Sequence, residues 1–140
     1  IKPFLVASSI QAIMAQRLIR RICSECKEVD PSPNRFILKV LGISDEDLEG
    51  HHIYRGAGCK RCSGVGFRGR QGIFEMLQMN CELRELAFNR APTQQIRRAA
   101  HASGMRPLLE DGKLKILRGI TTPDEVARIA QMEGVIIEEE

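Results

Sequence analysis

Four cysteines in two matching pairs are the residues of this 140-residue chain best suited to chemistry: Cys23-Ser24-Glu25-Cys26 and Cys59-Lys60-Arg61-Cys62, each C-x-x-C. Two intervening residues let one tight turn aim both sulfurs at a point while its backbone N–H groups face the thiolates. Two such turns complete the tetrahedron of soft ligands that Zn²⁺ prefers, at about 2.3 Å per Zn–S bond. Cys23, Cys26, Cys59 and Cys62 are therefore the predicted metal ligands. Because all four positions are cysteine, none is left for water or substrate, which points to structural rather than catalytic zinc. No catalytic residue is predicted.

Other uses of the cysteines fit less well. No thioredoxin-like βαβ pattern surrounds either pair, as a redox C-x-x-C needs. Ser24, Glu25, Lys60 and Arg61 are poor neighbours for thiols packed in an apolar core. The start, Ile1-Lys2-Pro3-Phe4, has no signal-peptide pattern, so a reducing compartment without structural disulfides is expected. Four thiolates on Zn²⁺ carry a net charge of about −2, which the adjacent Lys27, Lys60 and Arg61 are expected to offset. Gly58 and Gly64 stand where such a turn needs unusual backbone angles or close approach. His51 and His52 read as surface or strand-end residues, and Cys81 as a small helix residue without a partner.

The elements that must hold these residues can be read from punctuation and periodicity. Ser8 or Ser9 is expected to cap a helix running to about Ile22, with Ile10, Ile13, Met14, Leu18 and Ile22 on one face. Arg17 and Arg21 fall within that arc. They either reach to its rim or meet a missing domain, a neighbouring subunit or an anion. The 32 residues between Cys26 and Cys59 exceed common ribbon spacing and are expected to form their own lobe. Within it, a short helix is predicted over Arg35–Leu41, stopped by Gly42, and Ser44 with Asp47 resembles a small capping box ahead of Gly50. His52–Arg55 and Gly72–Leu77 are the strand candidates.

The last sixty or so residues read as helices. Asn80 is predicted to cap Cys81–Phe88, and Thr93 a helix to about Ser103 closed by Gly104. Pro107 opens another that Gly119 ends despite Gly112. Thr122-Pro123-Asp124-Glu125 supplies a cap, a Pro at the first helical position and a Glu at the third, starting a helix to about Met132. Glu138-Glu139-Glu140 reads as a solvated tail.

The bulk properties exclude several classes. With 43% hydrophobic and 28% charged residues the chain is an ordinary globular one, and no apolar run approaches a membrane span. From Arg55 to Arg70 five basic residues (Arg55, Lys60, Arg61, Arg68 and Arg70) meet no acidic one, as a nucleic-acid-binding zinc module would require. Yet only Tyr54 and Phe67 are near enough to stack on bases, and a net charge of +3 is small. Nucleic-acid binding is the alternative rather than the principal reading.

Two resemblances bear on function. Cys59-Lys60-Arg61-Cys62-Ser63-Gly64-Val65-Gly66 is similar to the C-x-x-C-x-G-x-G repeat of the Hsp40 (DnaJ-type) co-chaperones, which suggests a chaperone module as another alternative. That family strings four such repeats together, whereas Cys26 continues into Lys27-Glu28-Val29-Asp30 without the glycines. The second resemblance covers nearly the whole chain. SSIQAIMAQRLIRRICSECKE (8–28), GCKRCSGVGFRGRQGIFEML (58–77) and GMRPLLEDGKLKILRGITTPDEVAR (104–128) together resemble the C-terminal part of the type II secretion and type IV pilus assembly ATPases.

This likeness implies a parent that is a hexameric, cytoplasmic, RecA-like ATP hydrolase at the inner face of the bacterial inner membrane. Its implied partners are neighbouring subunits, a membrane-embedded platform protein and other secretion or pilus components, so membrane association is indirect. Related pilus-retraction motors generally lack the tetracysteine insert, which favours the secretion or assembly branch. ATP and Mg²⁺ belong to the parent motor. Here the only Gly-Lys pair, Gly112-Lys113, lacks the rest of a Walker A loop, and no Walker B strand is present. The chain, which begins without Met, reads as a fragment that does not itself hydrolyse ATP. Arg68 and Arg70 match basic positions of the family's G-R-x-G-I stretch. Arg70 is expected to pair with Glu75, with a neighbouring subunit as the other candidate partner.

The expected architecture is α+β in three parts. Residues 1–22 form the last helix of a truncated RecA-like domain, 23–77 a zinc lobe with short strands, and 78–140 a helical subdomain.

Overall fold

The computed structural model describes residues 1–134, so the tail Glu138-Glu139-Glu140 lies outside the described residues. It is a mixed α and β structure. In chain order the elements are α1 (Pro3–Ser9), β1 (Ala12–Ile22), β2 (Lys27–Val29), α2 (Arg35–Val40), β3 (Tyr54–Gly56), β4 (Phe67–Gln78), α3 (Cys81–Phe88), α4 (Thr93–Ala102), α5 (Leu108–Leu117) and α6 (Pro123–Met132). A single 3₁₀ turn covers Lys60–Cys62. β1 pairs with β4, and β2 with β3 in antiparallel register, Glu28 opposite Arg55.

The helix expected from Ser8 or Ser9 to Ile22 is not formed. The chain is helical only over α1, which Pro3 opens, and then extends as β1. Ala15, Arg17 and Ile19 turn inward at every second position, the period of a strand. The helical spacing of Ile13, Met14 and Leu18 was incidental, for all three are exposed in a strand paired with β4. Backbone pairing with a distant segment has overridden a local pattern.

The chain divides into two compact units interleaved in sequence: Ile1–Gln16 with Phe74–Leu108, and Arg17–Ile73 with the residues from Leu109 onward. In the first, Leu83, Ala99 and Ala100 form a small core flanked by Leu77, Ile96 and Met105. Arg84 ties α3 to the Ala7 carbonyl of α1 and to the Gln11 side chain. In the second, Leu38, Leu41, Ile43 and Ile53 share one core with Ile116, Val126 and Ala130. The segment between the cysteine pairs is thus no separate lobe, since it buries its apolar residues against α5 and α6. Gly112 makes α5 close to α6, because a Cβ there would lie 2.7 Å from a Val126 methyl.

Most helix signals are used as read. Asn80 accepts the Leu83 N–H at 2.8 Å, and Gly42 (φ 69°) follows α2. Ser44 and Asp47 exchange the expected reciprocal bonds, but around turns rather than a helix. Thr93 is the first residue of α4, not its cap; Pro92 holds that position without a side-chain bond. No helix among the described residues is long and apolar enough to cross a membrane.

Candidate metal centre

Each cysteine pair closes a tight turn in the second unit. The first lies between β1 and β2, where the Cys26 N–H donates to the Cys23 carbonyl at 3.3 Å. The second opens the 3₁₀ turn, and its exit needs left-handed backbone at Ser63 (φ 55°) and Gly64 (φ 78°), with Gly58 (φ 95°) at the entrance. Gly58 and Gly64 thus adopt the unusual backbone angles expected of them. Gly66 joins the two turns: its carbonyl accepts the Cys23 N–H at 2.9 Å and its N–H points at the Cys62 sulfur at 3.2 Å.

All four sulfurs lie within 4.8 Å of one another, and no other group of three or more His, Cys, Asp or Glu among the described residues converges this way. Cys23 and Cys59 are 3.9 Å apart at Sγ, Cys26 and Cys62 3.8 Å, Cys59 and Cys62 3.7 Å. A regular tetrahedron of sulfurs at the usual Zn–S length has edges of about 3.8 Å, so the donor set fits that ion. Cys23 and Cys62 are buried, and Cys26 and Cys59 partly so.

The three cations expected to offset the thiolate charge are seen in other contacts or exposed. Lys27 Nζ lies 4.3 Å above the Tyr54 ring, Arg61 pairs with Glu25 at 3.6 Å, and Lys60 is exposed. Backbone N–H groups point at the sulfurs: Gly58 donates to Cys26 at 3.3 Å, Cys59 to Cys62 at 3.2 Å. Burial pushes the Cys26 thiol up to about 12. Burial acts upward on Cys62 too, but the N–H groups of Cys59 and Gly66 and the adjacent sulfurs bring it down to about 6.

The remaining predicted residues fall elsewhere. His52 meets Tyr54 edge-on with centroids 6.4 Å apart, and His51 is exposed. Cys81 is the exposed first residue of α3. Arg17 pairs with Glu133 at 2.6 Å, while Arg21 is exposed. Glu75 accepts the Leu108 N–H at 3.0 Å rather than Arg70, which strand parity sets on the other face of β4. In the basic stretch, Arg55 pairs with Glu28 at 2.8 Å and Arg61 with Glu25, leaving fewer cations for phosphate. Gly112-Lys113 lies inside α5, with Lys113 bound to Asp47 at 2.8 Å and to the Gly42 carbonyl at 2.7 Å, so it cradles no phosphate.

Sequence reasoning missed Arg20. It stacks on Phe67 at 4.2 Å and holds Glu125, the residue read as part of a capping box, through two side-chain bonds of 2.9 and 2.6 Å.

The family model described as type II/IV secretion system protein matches residues 1–128. The chain belongs to this family. It is 39% identical over 127 residues to the type IV pilus assembly ATPase PilB of Thermus thermophilus, which covers 90% of this chain and 14% of that protein. It is 35% identical to type II secretion system protein E of Pseudomonas aeruginosa, over 95% of this chain and 26% of the relative. Type II secretion system ATPase E of Vibrio cholerae is 34% identical over 94% of this chain and 25% of its own length. This member therefore spans about a quarter or less of the relatives it matches.

Proposed function

We propose that this chain is the zinc-stabilised C-terminal region of a hexameric ATPase that powers type II secretion or type IV pilus assembly. Its role is to brace and couple rather than to catalyse. The convergence of four sulfurs at tetrahedral spacing carries the metal part of this reading, and the family match carries the rest. Residues before Cys23 belong to the end of a RecA-like motor domain, which holds ATP and Mg²⁺ in the parent. The parent works in the cytoplasm against neighbouring subunits and an inner-membrane platform protein. Cys23, Cys26, Cys59 and Cys62 hold Zn²⁺, whose binding supplies folding free energy on the order of 10–16 kcal/mol in small zinc-finger peptides.

Elemental analysis of freshly prepared, reduced protein should find one zinc per chain. Cys59→Ser should lose the metal, collapse amide dispersion across residues 23–77, and uncouple ATP turnover from transport in the full-length parent. Native dispersion in that stretch after complete metal removal would rule out the structural role.

A further inference from the structure

The segment from Gly119 to Glu125 binds the strand that enters the first cysteine pair and lies against the residue that leaves it, although it is about a hundred residues away in sequence. On the β1 side, Arg20 donates its backbone N–H to Glu125 Oε2 at 2.9 Å, and its carbonyl accepts the Thr121 hydroxyl at 2.9 Å. Two residues on, the Ile22 N–H donates to the Ile120 carbonyl at 2.9 Å. Cys23 follows directly, with its own N–H on Gly66. On the β2 side, Gly119 leaves room for Lys27, since a Cβ there would lie 2.6 Å from Lys27 Nζ and 2.8 Å from the Tyr54 ring.

The residues that enter the Cys23–Cys26 turn are therefore held by one short segment, which also lies against Lys27 on the leaving side. That segment is largely buried. Thr121 is fully buried and Glu125 is 2% exposed. Glu125 accepts from the Arg20 backbone, the Arg20 guanidinium and Arg128, so its carboxylate is satisfied where it sits. A capping box alone would need none of this. Glu125 turns its carboxylate to Arg20 of β1 and to Arg128, while its own backbone N–H donates to the Thr122 hydroxyl at 3.4 Å.

We propose that Thr121 and Glu125 are positioning residues for the metal centre, fixing the Cys23–Cys26 pair against Cys59 and Cys62. This rests on the reading of the four cysteines as a metal site. Supporting contacts that orient metal ligands change affinity by about 10–100-fold when removed. Here they would act through the backbone of residues 20–22 rather than on a sulfur.

The test is Co²⁺ titration of the reduced, metal-free full chain, read by thiolate-to-cobalt charge-transfer and d–d bands and by competition with a chromophoric chelator. Glu125→Gln and Thr121→Val should raise the Co²⁺ dissociation constant about 10–100-fold and alter the d–d envelope. Thr121→Ser, which keeps the hydroxyl, should restore wild-type binding. Leu83→Ala, in the core of the other unit, should lower thermal stability and leave the cobalt spectrum unchanged. Wild-type affinity and spectrum in both Glu125→Gln and Thr121→Val, with only the thermal midpoint lowered, would overturn the positioning role. Should Glu125→Gln not fold, the shape-conserving Thr121→Val decides alone. Failure of the wild type to give tetrathiolate cobalt bands would remove the metal reading beneath, and the positioning role with it.

Discussion

Glu125 shows how one side chain can be legible as a type and illegible as a contact. Its place three residues after Thr122 fits a helix start, and Thr122 does accept its N–H at 3.4 Å. Its carboxylate, however, serves Arg20, 105 positions away, and no local pattern could announce that partner. The convergence of the cysteines was readable for the opposite reason: the type and spacing of two C-x-x-C pairs are themselves local. Burial pushes the Glu125 carboxyl upward, but the Arg20 side-chain and backbone bonds outweigh it and hold it below the ordinary carboxylate range. A depressed folded-state value means stability that is fully present above the unfolded value of about 4.3 and is lost as pH falls through the folded one. Glu125→Gln should lower stability at neutral pH by about 1.5–3 kcal/mol, toward the lower end because Arg20 keeps half its surface in water. The gap between wild type and variant should then narrow on acidification below about pH 4, where the carboxylate loses its charge. Chemical denaturation of both proteins from pH 7 to pH 3 measures this, other titrating groups cancelling in the difference. A gap that stays constant across the range would refute it.

At the scale of elements, the helices of the second half were legible because caps are local chemistry: Asn80, Thr122 and Pro123 act where they stand. β1 was not, since Ala, Gln, Arg and Leu favour helix and only β4, far along the chain, makes it a strand. The tight approach of β3 to the end of the second cysteine turn was also hidden, because it needs two glycines thirty-odd angstroms of extended chain apart to meet. A Cβ on Gly56 would collide with the Gly66 carbonyl, and one on Gly66 would lie 2.5 Å from the Gly56 carbonyl. Gly64 has open space around it and only its left-handed backbone to defend. Gly64→Ala should thus cost about 1–2 kcal/mol from backbone alone. Gly66→Ala should cost more, adding about 1–3 kcal/mol of overpacking and displacing the N–H that faces Cys62. Equal destabilisation of the two variants in urea would show that the close approach contributes nothing.

For the whole molecule, mixed α and β composition was predictable, whereas its division was not, because β1 and β4 each contribute residues to both units. The four clustered cysteines lie wholly in the second unit, whose core draws on α2, α5 and α6. The first unit has its own core around Leu83, Ala99 and Ala100 and contains none of the four ligands. Ligand removal destabilises the cooperative region that holds the ligand, and hydrogen exchange resolves such regions one by one. Chelation of the metal from the intact chain should therefore strip amide protection from residues 20–30 and 53–66 and lower it in α5 and α6. Protection at Leu83, Ala99 and Ala100 should change by less than about tenfold, equivalent to about 1.4 kcal/mol. Equal loss of protection in both cores would mean that the chain unfolds as one body and that the metal braces all of it.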